Sequence, residues 1–152
     1  MSNTALKTKA NNTHERLFEV YRLVIDKCYR MSLLKDQIQL SDLMSDMNQS
    51  SEELITELDN NLVQALLPRI ERTLNKSLFD MYQILYTIDV DETMIKEKIM
   101  DIKNTSLIPS IIAFAIIDRL KTLYHHHLTI SAGKTFNRSS TTTRTFWTSS
   151  YI

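Results

Sequence analysis

The sequence predicts an all-α fold, an irregular bundle of four to five helices with disordered ends. Three observations carry this. Glycine occurs once in 152 residues, at Gly133, and proline only at Pro68 and Pro109, so the chain is poor in the residues that tight hairpins and phosphate-binding loops require. Apolar residues recur at three- and four-residue steps over most of the length, the period of a helix with one buried face. Ser, Asn and Asp stand just before several of these stripes, where a helix N-terminus needs a side-chain acceptor.

In chain order, residues 1–12 are polar and read as a disordered N-terminus lacking an apolar stretch of signal-peptide length. Asn12, with Glu15 three residues later, reads as a cap. Leu17, Tyr21, Val24 and Cys28 then mark a first helix over about 13–35. Leu40, Leu43, Met44 and Met47 suggest a brief second helical piece. Ser50 and Glu53 form a capping box, followed by Leu54, Leu58, Leu62 and Leu66. Because the residue before a proline avoids helical torsions, Pro68 is expected to break or kink this helix at Leu67. The next stripe, Ile70, Leu74, Leu78, Met81, Leu85 and Ile88, is the most regular in the chain. Asp89, Asp91 and Glu92 offer a cap and favourable charge to a helix with Met94, Ile95, Ile99 and Ile102 on its apolar face. A last helix begins at Asn104 or Ser106, runs through Ile112, Ile116, Leu120 and Leu123, and ends near His125–His127. Its first half is apolar nearly all round, which places it at the bundle centre.

These elements set the domain boundaries: a helical bundle over 13–127 and a Ser/Thr-rich tail over 128–152, expected to be disordered. Twelve of those last 25 residues are Ser or Thr, and Lys134, Arg138 and Arg144 are there without an acid. Phe136, Phe146, Trp147 and Tyr151 are unusual in a solvated tail. Two accounts stay open: a partner-binding segment that folds on contact, or a stretch that a shift of reading frame has put in place of the rest of the last helix. The abrupt change of composition slightly favours the second.

Charge is balanced, 18 basic against 18 acidic residues, so no global field favours nucleic acid or an anionic membrane. Lys96, Lys98 and Lys103 flank acids, and Arg69, Arg72 and Lys76 share a stretch with Glu71; both arrangements argue against a nucleic-acid face. The apolar run Leu107–Ile117 is too short to span a bilayer, which takes about 20 residues. Cys28, the single cysteine, excludes an internal disulfide and fits a reducing cytoplasm. As part of an apolar stripe, it reads as a buried small hydrophobe.

Several motifs invite chemistry. Asp89-Val90-Asp91-Glu92-Thr93 matches the Asp-x-Asp-x-Thr pattern of haloacid-dehalogenase-type phosphatases, in which the first Asp is the nucleophile and the second a general acid, with Mg²⁺ between phosphate and carboxylates. That chemistry needs a strand end and phosphate-binding loops, so capping is the expected role. A calcium loop would need a central glycine. Ala132-Gly133-Lys134-Thr135 resembles the end of a Walker A loop, but its first glycine would fall on Leu128. His125, His126 and His127 point in different directions on a helix and make a poor metal site; their expected role is to complement the helix C-terminus. No Glu is followed three residues later by His, so the di-iron bundle signature is missing. Met44, Met47, Met81 and Met94 read as core filling, with an adaptable partner groove as the sharper alternative.

Leu85-Tyr86-Thr87-Ile88-Asp89-Val90-Asp91-Glu92, the Ile95/Ile99 helix and the Ile111–Arg119 helix together resemble a group of short bacterial helical proteins. In that group a leucine-rich helix ends in a Leu-Tyr-x-Ile-Asp-Val turn and the last helix continues into a charged end, here replaced by the Ser/Thr-rich tail. The resemblance spans Pro68 to Leu123 and implies a small bacterial protein, with no activity or site residue attached to it.

The functional expectation is a non-enzymatic helical interaction or scaffolding module, with self-association or a protein partner, no catalytic, cofactor-binding or metal-binding residue and no cofactor. The alternatives are a Mg²⁺-dependent phosphatase-like enzyme using Asp89 and Asp91, and a weak nucleic-acid-binding protein.

Overall fold

The computed structural model describes residues 2–133, with side chains from residue 14 to residue 128. Five α-helices lie along the chain: α1 (Ser2–Arg30), α2 (Ser51–Lys76), α3 (Leu78–Thr87), α4 (Glu92–Met100) and α5 (Ile108–Gly133), with short 3-10 turns at Leu40–Leu43 and Thr105–Leu107. No strand occurs among the described residues. The all-α bundle is therefore the fold.

Central to the packing is α5, which lies against α1, α2 and α4. Ile112, Ala113, Ala115, Ile116, Ile117 and Leu120 are all buried, and the two alanines let neighbouring helices approach closely. Phe114 on the opposite strip stays partly exposed, so α5 is covered on most of its circumference rather than all of it. Leu54, Leu58, Leu62, Leu66 and Ile70 of α2 are fully buried, as their four-residue spacing predicts. The start of α2 is closed by Ser50, whose Oγ accepts from the Glu53 amide at 3.3 Å.

The boundaries differ from those read off the sequence in several places, each for a local reason. Helix α1 extends back to Ser2, ahead of the Asn12 cap at which the sequence starts it; no proline or glycine interrupts residues 2–12. It ends at Arg30 rather than near residue 35. Helix α2 runs unbroken through Pro68. The ring deprives only the Gln64 carbonyl of its usual amide, and both Gln64 and Pro68 face solvent, so water can take the missing bond.

The stripe from Ile70 to Ile88 is divided between two helices. Ser77 adopts extended torsions and caps α3 through its own side chain, which accepts from the Asp80 amide at 3.3 Å. That change of direction turns Leu78 outward, 56% exposed, while Met81, Leu85 and Ile88 remain in the core. Met44 and Met47 do not extend a helix, since the turn stops at Leu43. Helix α5 continues to Gly133, so the boundary expected at residue 127 falls inside it. His125–His127 therefore stand more than one turn before the end, out of reach of the helix dipole they were expected to complement. The remainder of the 128–152 tail, with Phe136, Phe146, Trp147 and Tyr151, lies outside the described residues.

Two helix ends close in the same way without glycine. After α1, Ser32 takes φ 62°, and after α3, Asp89 takes φ 60°. At the first, the Ser32 amide bonds the Tyr29 carbonyl at 3.0 Å and the Leu33 amide bonds the Cys28 carbonyl at 2.9 Å. At the second, Asp89 bonds Tyr86 at 3.0 Å and Val90 bonds Leu85 at 2.9 Å. Both are Schellman closures, each sealed by a buried apolar residue just beyond the turn, Leu33 or Val90.

Candidate interaction site

The residues with the best case for chemistry are placed in structural work. Asp91 accepts from the Thr93 amide at 2.9 Å and caps α4. Asp89 sits in the left-handed turn that ends α3, its carboxylate 3.5 Å from the Arg119 guanidinium. The pair thus lies at a helix–helix junction, whereas the phosphatase pattern requires a strand end. Among the described residues no group of three His, Cys, Asp or Glu side chains is placed to hold a metal ion.

Arg119 is the one buried charged residue in the described core. Its Nε donates to the Ile88 carbonyl at 3.0 Å. A cation at the C-terminal end of α3 satisfies an orphan carbonyl and meets the negative end of the helix dipole. In the sequence Arg119 stands out only as an arginine at the end of an apolar run, which gives no sign of its partner 31 residues away.

A second polar tie joins three helices. The Tyr21 hydroxyl of α1 donates to Asp59 Oδ1 of α2, and Lys121 Nζ of α5 lies 2.7 Å from Asp59 Oδ2. The same ammonium sits 5.5 Å from the centre of the Tyr21 ring, within cation–π range. Burial first, then the hydrogen bond and charge of Asp59, hold the Tyr21 phenol well above its usual range. The phenol therefore remains a donor and is unsuited to act as a base. Sequence reasoning places Tyr21 correctly in the core stripe but misses Asp59; its position one residue after the buried Leu58 was the available signal.

Cys28 is fully buried, and burial pushes its thiol up to about 12. It is a core hydrophobe with no thiolate at neutral pH.

What remains as a site is a concave surface beside the chain between α1 and α2. A groove of about 430 Å³ is lined on one wall by Phe18 and Ile25 of α1 and on the other by Ile38, Leu40, Met44 and Met47. Phe18, Ile25 and Leu40 belong to the core below, Ile38 and Met44 are half-buried, and Met47 is 60% exposed. Arg22 and Asp26 flank the α1 wall. Two of the four methionines that read as either core or groove thus lie in a groove, while Met81 is core, 1% exposed.

The outer wall of that groove is held by α2. Glu57 accepts from both the Ser45 amide and the Ser45 hydroxyl, the latter at 2.7 Å, and Asn61 donates to the Leu43 carbonyl at 2.8 Å. These hydrogen bonds from Ser45 keep the Glu57 carboxyl below its usual range. A second hollow is lined by Gln49, Glu52, Glu53, Thr56, Glu57 and Asn60. The stretch from Met44 to Gln49 therefore contributes to both an apolar hollow and an acidic one. Sequence periodicity could not find this surface, because residues 31–50 carry little regular structure.

A second exposed apolar strip lies on α3, where Phe79 is 67% and Tyr86 77% exposed. Tyr82 lies between them on the same helical face, with Lys96 of α4 5.4 Å from its ring centre.

No helix among the described residues is long and apolar enough to cross a membrane. The chain matches no family model, no curated protein and no solved structure.

Proposed function

We propose that this chain is a non-enzymatic helical module that binds a protein partner in the groove between α1 and residues 37–47. The observation that carries the reading is the placement of Ile38, Met44 and Met47 at the mouth of a groove whose floor is core. Unbranched, polarizable methionines adapt to varied apolar partners, and a groove of this kind suits an amphipathic helix laid along it. The polar machinery elsewhere supports the same reading: Asp89, Asp91, Arg119, Tyr21 and Asp59 close helix ends or join helices. The buried Cys28 thiol supports work in a reducing cytoplasm.

The seven methionines provide the test. In the full chain carrying ¹³C-methyl methionine, titration with amphipathic helical peptides is expected to shift the Met44 and Met47 methyls and leave Met81 still. Absence of any Met44 or Met47 response to every peptide would overturn the proposal.

The exposed strip Phe79–Tyr82–Tyr86 favours a second reading, self-association through α3. Sedimentation over a concentration series should show a larger species that Phe79→Glu/Tyr86→Glu abolishes; a monomer at all concentrations removes it.

A further inference from the structure

Resting on the groove reading above, we infer that the partner is a cationic peptide segment with bulky apolar anchors. Its anchors enter the groove at Ile38, Met44 and Met47, and its Lys or Arg side chains lie over the acidic hollow at the start of α2.

Charge complementarity argues for this occupant. Residues 36–60 contain seven acids, Asp36, Asp42, Asp46, Glu52, Glu53, Glu57 and Asp59, and no Lys or Arg. Asp59 is engaged by Lys121 and Tyr21. Glu52 and Glu53 stand in the first turn of α2, where they offset the positive end of the helix dipole. Asp36, Asp42 and Asp46 are exposed beside the groove residues Gln37, Ser41 and Met47, with Asp42 accepting from the Gln39 amide and Asp46 from the Asn48 amide. Glu57, held ionised by Ser45, lines the second hollow. On the α1 wall Asp26 is paired with Arg30 at 3.0 Å, so Arg22 stands there as a single cation facing the acids of the opposite wall. An approaching segment therefore meets net negative charge on one side of a row of apolar contacts. An anionic segment would be repelled there, while a neutral one would gain only the apolar contacts.

The apolar and acidic surfaces are also tied together through Ser45, which follows the groove residue Met44 and bonds Glu57 of the acidic hollow. The Ser45 amide and hydroxyl both bond Glu57, and the Gln49 side chain bonds the Asp46 carbonyl at 2.7 Å. Anchors and cations must then sit on adjacent faces of the bound segment, the arrangement of a basic amphipathic helix.

The experiment uses the full chain with labelled methionine methyls and three synthetic 18-residue amphipathic peptides. All three carry the same Leu and Phe anchors, with Lys/Arg, Gln or Glu on the polar face. The cationic peptide is expected to shift Met44 and Met47 and to bind at least tenfold more tightly than the Gln peptide at low salt, the preference shrinking at 0.5 M salt. Glu52→Gln/Glu53→Gln should cut the preference several-fold without altering the Gln peptide, and Met44→Ser/Met47→Ser should weaken both. Equal binding of the Gln peptide, or tighter binding of the Glu peptide, overturns the cationic partner and leaves the groove reading standing. No response at Met44 or Met47 to any peptide overturns both. A peptide-induced move of Trp147 emission from a buried to a water-like wavelength would identify the chain's own end as the occupant and also overturn the inference; Trp147 is the only tryptophan.

Discussion

The ends of α1 and α3 are built alike and used differently. Each has the same pair of backbone bonds, a non-glycine residue with positive φ, and a buried aliphatic residue just beyond. After α3 the chain enters α4 within four residues, and Arg119 of α5 reaches the Ile88 carbonyl from the core. After α1 it wanders for 20 residues before α2, and the closure is backed by the buried Cys28. The contrast teaches that the same local turn can be a tight corner or the start of a long segment that walls a groove. The outcome is decided by the length of chain leaving the turn and by the core group behind it.

The largest way to break this comparison is at Arg119. Arg119→Met leaves the Ile88 carbonyl without its donor and is expected to cost about 2–3 kcal/mol. The lower urea midpoint should come with faster hydrogen exchange at Asp89 and Val90, while Ser32 and Leu33 stay protected.

Alkaline pH acts on the other end. The folded Cys28 thiol lies above its ordinary value, at about 12 against 9.0, so the folded state resists deprotonation. Its contribution is complete below about pH 9 and is lost as pH rises toward 12, by about 1.4 kcal/mol per pH unit. The Tyr21 phenol, also raised, adds a loss of the same sign above pH 10. Cys28→Ala should remove the first part of the decline; an unchanged slope between pH 9 and 10 would show that the thiol does not contribute.

Glycine substitution sharpens the comparison at smaller scale. Ser32→Gly relieves the left-handed torsion and should stabilise by about 0.5–1 kcal/mol, the gain reduced by glycine's unfolded-state freedom. Asp89→Gly should gain less, because aspartate tolerates that torsion and its carboxylate beside Arg119 is lost. Equal gains in thermal melts would show that Arg119 is indifferent to Asp89.

The smallest effect is expected at Glu57. Its carboxyl lies below its usual range because Ser45 bonds the ionised form. This contribution is present above the unfolded value near 4.5 and disappears as pH falls through the lower folded value. Glu57→Gln should speed exchange of the Ser45 amide at pH 7 with little change in the global melt.

How far the sequence reached can be judged at particular residues. Leu54, Leu58, Leu62 and Leu66 were legible as a buried stripe, and Ser50 and Asp91 as caps, because helix period and capping are local physics. Pro68 was not, since its outcome depends on Gln64 facing water. Leu78 was misplaced because Ser77 could act either as a residue within a helix or as the cap of a new one. Ser32 and Asp89 gave no warning of positive φ, and the Arg119–Ile88 contact joins positions far apart in sequence. Of the candidate site, only the adaptability of methionine could be anticipated; which methionines gather depends on how residues 31–50 fold back onto α1.

The corners at Ser32 and Asp89 have a consequence for motion. Glycine hinges swivel because their backbones cross torsional space freely, and the single glycine here lies at the far end of α5. A molecule whose inner corners keep their side chains has few pivots. Its helices should shift against one another by sliding or by fraying at their tips, so relaxation measurements should find slow exchange concentrated along residues 34–49, with the two corners quiet.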